Sequence, residues 1–98
     1  MPAVCRGNLV DADLVHCSLP RRLELSPNVR VNGTGISRET DLNDVHEVPG
    51  TPCTLHQAPI AFGSPLVRIN NLGCGRIGDI IAGCTAVATG SPNVFAGP

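Results

Sequence analysis

Hydrophobic and polar residues alternate over short stretches of this chain and nowhere hold a helical spacing for long. Asn28-Val29-Arg30-Val31-Asn32 and Leu66-Val67-Arg68-Ile69-Asn70 put Val29, Val31, Val67 and Ile69 on one face of an extended backbone. That two-residue period, bounded by Gly, Asn and Pro, is the mark of a strand with one buried face. Prolines at 2, 20, 27, 49, 52, 59, 65, 92 and 98 interrupt nearly every window in which a helix could be drawn. A proline inside a helix costs about 3 kcal/mol, so any helix is limited to a turn or two. The pattern predicts an all-β chain of short strands.

The strands recur. Ser26-Pro27-Asn28-Val29-Arg30-Val31-Asn32-Gly33 aligns with Ser64-Pro65-Leu66-Val67-Arg68-Ile69-Asn70-Asn71, and Ser91-Pro92-Asn93-Val94-Phe95-Ala96-Gly97 aligns with both. After the first two copies a turn leads to Arg-x-x-Asp, as Arg38 to Asp41 and Arg76 to Asp79. The third copy meets the end of the sequence, and its continuation is read at the start, where Arg6 precedes Asp11 with two extra residues between them. A chain closed in this way holds three similar units around a pseudo-threefold axis, none able to bury its apolar face alone. Its two ends are then expected to lie side by side.

Composition narrows the class. Ninety-eight residues leave room for one domain, spanning 1–98, and a chain this short buries only about 60–70% of its unfolded surface. Two Phe and no Trp or Tyr remove the side chains that usually supply most of a small core's area. Another source of stability is needed. A net charge of −1 with 15% charged residues gives no electrostatic footing for nucleic acid or an anionic membrane. All seven basic residues are Arg, which suits forked pairing with carboxylates. The N-terminal stretch lacks a signal-peptide pattern, and no run reaches the ~18 apolar residues of a membrane helix. Folding in the cytoplasm with no stable membrane anchor is the expectation.

Five cysteines, at 5, 17, 53, 74 and 84, are an odd number without a secretion signal and point to metal ligation over a disulfide framework. Counting on from the three aspartates gives one offset: Asp11 to His16, Asp41 to His46, Asp79 to Cys84. Equivalent positions around a threefold axis converge, and two imidazoles with a thiolate suit tetrahedral zinc, in preference to iron. His56, in the long insert of the middle unit, is the remaining histidine and the proposed fourth ligand. The candidate set is therefore His16, His46, His56 and Cys84, with Cys17, beside His16, and Cys53, three residues before His56, as possible substitutes. Scattered packing residues are the bland alternative, and the equal spacing after three aligned repeats weighs against it. Four protein ligands leave no place for water or substrate, which favours a structural metal over an enzyme. Gly73-Cys74-Gly75-Arg76-Ile77-Gly78 satisfies G-x-G-x-x-G but lacks the following helix and distant acid of a dinucleotide site. Cys53 and His56 form a Cys–His pair with no legible orienting group.

Gly63-Ser64-Pro65-Leu66-Val67-Arg68-Ile69-Asn70-Asn71-Leu72, leading through Gly73-Cys74-Gly75-Arg76 to Asp79, resembles the PAAR-repeat family over essentially the full chain. Gly73-Cys74-Gly75-Arg76 stands where that family has Pro-Ala-Ala-Arg, so the chain reads as a diverged member. The resemblance implies a cone of short strands whose base sits on the blunt end of a trimeric β-helical spike, one tip per trimer. It also implies a metal near the apex, held by three His and one Cys, and a role in puncturing the target envelope. No small-molecule substrate is implied. The setting would be the spike tip of a secretion apparatus, an extracellular injection particle or a phage tail. The competing reading is a free-standing zinc-binding domain with a regulatory or metal-handling role.

Overall fold

The computed structural model describes residues 1–15, 18–48 and 54–97. Among the described residues six short strands form three antiparallel pairs: β1 (Arg30–Val31) with β2 (Thr34–Gly35), β3 (His46–Val48) with β4 (Thr54–His56), and β5 (Arg68–Ile69) with β6 (Leu72–Gly73). The described residues contain no helix, and the all-β expectation holds. The first and third hairpins turn on Asn32-Gly33 and Asn70-Asn71, all four at positive φ between 53° and 80°. Both central residues of a two-residue type I′ loop need that backbone, which Asn and Gly adopt most cheaply.

The strands are shorter than the alternation suggests, because Pro27 and Pro65 supply no amide and the serines before them hold the next residues in a turn. Ser26 Oγ accepts the amides of Asn28 and Val29, at 3.3 and 3.0 Å. Ser64 does the same for Leu66 and Val67, and Ser91 for Asn93 and Val94. Each serine also reaches into the next copy: Ser26 donates to Asn70 Oδ1 at 2.6 Å, Ser91 donates to Asn32 Oδ1 at 2.6 Å, and Ser64 donates to the Gly97 carbonyl.

Three backbone hydrogen bonds close a ring. Cys5 N–H donates to Gly75 O at 3.0 Å, Gly75 N–H to Ser37 O at 2.9 Å, and Ser37 N–H to Cys5 O at 3.0 Å. Gly75 is required here, since a Cβ would lie 2.5 Å from Ser37 O and 2.7 Å from Cys5 Sγ. Beside each ring member an arginine forks onto its aspartate: Arg6 onto Asp11, Arg38 onto Asp41 and Arg76 onto Asp79, with N···O contacts of 2.8, 2.8 and 2.9 Å. The two extra residues between Arg6 and Asp11 are absorbed by a turn in which Asn8 and Leu9 take positive φ, and the fork survives.

The ring separates two apolar clusters. On one side Val31, Ile69 and Ala96 pack with Val4, Ile36 and Cys74, and Val29, Val67 and Val94 lie against them half-buried. Each set of three takes one residue from each repeat. On the other side Cys5, Ala58, Ile60, Ile81 and Val87 form a second cluster, with Cys84 packed against it. The chain ends meet, as expected: Ala3 pairs with Phe95, and Ala96 N–H donates to Pro2 O at 3.0 Å. The molecule measures 39 × 23 × 22 Å, one long axis and two nearly equal short ones.

Candidate metal centre

The β3–β4 hairpin builds most of this site. His46 opens β3, His56 closes β4, and the two are direct cross-strand partners, a pairing that brings side chains on one face together. Their rings meet edge to face, with centroids 4.3 Å apart and planes at 72°. The Nε2 atoms are 2.7 Å apart, and Cys84 Sγ lies 3.3 Å from His46 Nε2. Cys84 arrives from a separate turn in which Gly83 takes a φ of 63° and Cys84 N–H donates to Ile81 O at 3.0 Å. One ligand atom from each of the three side chains lies within 4.8 Å of the others.

The protons can be placed. His46 Nδ1 lies 2.7 Å from the Asp44 carbonyl, an acceptor only, so Nδ1 carries the hydrogen and donates it. In the neutral ring Nε2 then holds a lone pair, directed at His56 and Cys84. A carbonyl that fixes the far nitrogen of a histidine is the usual support for a metal ligand. Asp44 is itself held in place, its Oδ1 accepting the Arg21 amide at 2.8 Å and its amide donating to Arg21 O at 2.8 Å. His46 is buried, whereas His56 and Cys84 are half-buried. Burial pushes the Cys84 thiol up, and a hydrogen bond from Asn43 pulls it part of the way back. A cation would replace the protons on this sulfur and on His56.

The donor set fits a zinc-like ion in kind and closely in size. Bonds of about 2.0–2.1 Å to nitrogen and about 2.3 Å to sulfur in a tetrahedron place N···N at ~3.3 Å and N···S at ~3.6 Å. The His46–His56 and His46–Cys84 gaps are 2.7 and 3.3 Å, a few tenths of an ångström short of those spacings, and the His56–Cys84 separation lies within 4.8 Å.

Of the predicted ligands, the structure brings together His46, His56 and Cys84. His16 lies outside the described residues, as do Cys17 and Cys53. Cys5 and Cys74 are core residues without a disulfide. Burial raises both thiols, that of Cys74 to about 11, which leaves them as small hydrophobes at neutral pH.

Sequence reasoning overlooked the polar layer under the site. Arg22 and Asp13 form a fully buried ion pair at 2.9 Å, and Asn43 donates to the same Asp13 oxygen at 3.0 Å. A signal existed: Asp13 and Asn43 each lie two residues beyond an aligned aspartate, where the other copy has Ile81. No protein-family model matches the chain, and no curated protein matches it.

Proposed function

We propose that this chain is a metal-stapled tip of the PAAR-repeat type, which caps the blunt end of a trimeric β-helical spike in a contractile injection system or phage tail. The observation that carries the reading is the cyclic bonding of the three repeats. The backbone ring runs from Cys5 to Gly75 to Ser37 and back, and the serine hydroxyls pass from the first copy to the second, the second to the third and the third to the first. Such a cycle supports a pseudo-threefold arrangement, and a monomer with that symmetry can offer matching strand ends to three identical chains. Covering those ends would hide the unpaired edges of a β-helix, which otherwise invite aggregation.

The staple is assigned to His46, His56 and Cys84, with His16 as the fourth ligand and zinc as the ion. Bound there, the metal supplies a cross-link and no open coordination position, so its role is structural. It joins the β3–β4 hairpin to the turn at Cys84. Structural zinc contributes about 10–16 kcal/mol in small zinc peptides, as much as the whole stability of an ordinary domain.

Native mass spectrometry of the purified chain mixed with a trimeric β-helical spike protein of a contractile system tests the cap. One copy per three spike chains is expected. A chain that stays monomeric beside such partners defeats the reading, and elemental analysis of the same sample tests the metal separately.

A further inference from the structure

The three repeats build one corner three times and fill it differently. The residue after each repeat arginine donates its backbone N–H to a neighbouring copy: Glu39 to Gly73 O at 2.9 Å, Gly7 to Gly35 O at 3.0 Å and Ile77 to Ala3 O at 2.9 Å. Cross-strand from those three acceptors stand Arg68, Arg30 and Phe95. At the Gly73 corner the chain supplies its own carboxylate, for Glu39 Oε2 accepts the Gly63 N–H at 3.1 Å and Oε1 lies 3.5 Å from Arg68 Nη2. At the Ala3 corner both residues, Ile77 and Phe95, are apolar. At the Gly35 corner the arginine remains and the acid is missing: position 7 is glycine, and no ion pair among the described residues includes Arg30.

The Gly35 corner keeps the donors of its counterpart. Leu25 aligns with Gly63, and the residues that follow are bonded alike, Ser26 N–H to Ile36 O at 2.7 Å and Ser64 N–H to Cys74 O at 2.8 Å. The Gly63 N–H goes to Glu39, whereas the Leu25 N–H meets no acceptor among the described residues. A pocket of about 190 Å³ opens here, with Asn8, Leu25, Arg30, Thr34 and Gly35 in its lining. Position 7 cannot carry the acid, because a Cβ on Gly7 would lie 2.5 Å from Glu24 O. The Leu25 side chain lies over Gly35 instead, its Cδ1 2.4 Å from where a Cβ would stand, much as Glu39 Oε2 lies over Gly73 at 2.7 Å. A guanidinium and an open amide beside an apolar wall suit a carboxylate on a short methylene stem. The cation and the N–H take the oxygens, and the stem lies on Leu25.

We propose that this pocket binds an acidic side chain of a partner protein, glutamate in kind, with Arg30 and the Leu25 N–H holding its carboxylate as Arg68 and the Gly63 N–H hold that of Glu39. The inference depends neither on the metal nor on the spike.

Amide NMR titration of the full chain tests it, with a glutamate residue blocked at both ends as the probe, sodium acetate as the carboxylate alone, and sodium chloride at matched ionic strength. The Leu25 amide should shift and saturate with the blocked glutamate while the Gly63 amide, already bonded to Glu39, stays in place. Acetate should give the same shift but bind about threefold more weakly, for want of the stem. Arg30 is exposed, so Arg30→Gln should fold as the unmodified chain does and bind the probe at least about 10-fold more weakly. A Leu25 amide that ignores the probe, or that moves equally with chloride, overturns the proposal, as does a folded Arg30→Gln protein with unchanged affinity. Acetate binding as tightly as the blocked residue overturns the assignment to a side chain.

Discussion

Arg22 and Asp13 carry opposite charges into a region where both side chains are 0% exposed. Taking either charge out of water alone costs several kcal/mol, and their attraction offsets that only while both are present and hydrogen-bonded. Replacing Arg22 by Met is therefore expected to cost about 3–5 kcal/mol, because Asp13 is left buried without its cation. Pairing Arg22→Met with Asp13→Leu should recover most of that loss, and urea unfolding of the single and double variants measures the difference. At the site, Cys84→Ala removes a ligand whose sulfur is also packed against the second apolar cluster. Loss of a structural metal belongs to the small group of changes that exceed about 4 kcal/mol. If the proposed zinc occupies the centre, the variant should fail to hold it and should unfold around the β3–β4 hairpin; a folded, zinc-loaded Cys84→Ala protein would show that the ligand is misassigned.

Between elements, the tie with the clearest pH signature is Glu39. Its carboxylate accepts the amides of Gly73, in β6, and Gly63, ahead of Ser64, and these hold its pKa below the ordinary carboxylate value. A depressed pKa contributes stability that is complete above about pH 4.5, the ordinary value, and is lost as the pH falls through the lower, folded one. Glu39→Gln should thus cost about 1 kcal/mol at pH 7 and progressively less below pH ~4.5, where the two proteins converge; chemical unfolding from pH 7 to 3 follows the difference. A gap that stays constant across that range would place the contribution outside the carboxylate charge. The hairpin turns were legible in the sequence, since Asn32-Gly33 and Asn70-Asn71 between alternating residues specify a two-residue loop. The third copy was not, because Gly97 stands where the other copies have Asn32 and Asn70. Those asparagines accept from Arg6 Nη1 and Arg38 Nη1 at 3.3 and 3.1 Å, whereas Arg76 Nη1 is buried with no partner among the described residues. Repeat spacing pointed to His46 and Cys84 because each follows its aspartate by five positions. His56 came only by elimination: the middle unit's insert has no counterpart in the other copies, and the register that sets His56 opposite His46 is not encoded by the repeat. The buried polar layer was missed for a related reason, since Asp13, Asn43 and Ile81 occupy equivalent places with unlike chemistry.

On the scale of the molecule, stability should be graded from the closed backbone ring to the end that carries the β3–β4 hairpin. The six buried apolar residues of the first cluster take two from each repeat and sit beside the closed backbone ring, so every part of that end is held by the other two. Opening any one unit there breaks contacts with both neighbours at once. The distal end has the opposite character. There β3 and β4 are three residues each, Leu55 and Val45 are exposed, and the side chains of His46, His56 and Cys84 meet between the hairpin and the Cys84 turn. A two-stranded hairpin of that length is marginal in water by itself. Removing the proposed metal with a chelator should accordingly release the distal end first. In hydrogen exchange, the amides of Cys5, Ser37 and Gly75, which form the ring, should stay slow after chelation, while the Cys84 amide, bonded to Ile81 O across its turn, should speed up by at least about a hundredfold, equivalent to the loss of roughly 3 kcal/mol of local protection. If ring and distal amides accelerate together by the same factor, the chain unfolds as one unit and the metal stabilises all of it. A distal end that exchanges slowly with and without chelator would remove the staple from the account and leave the hairpin held by its backbone alone.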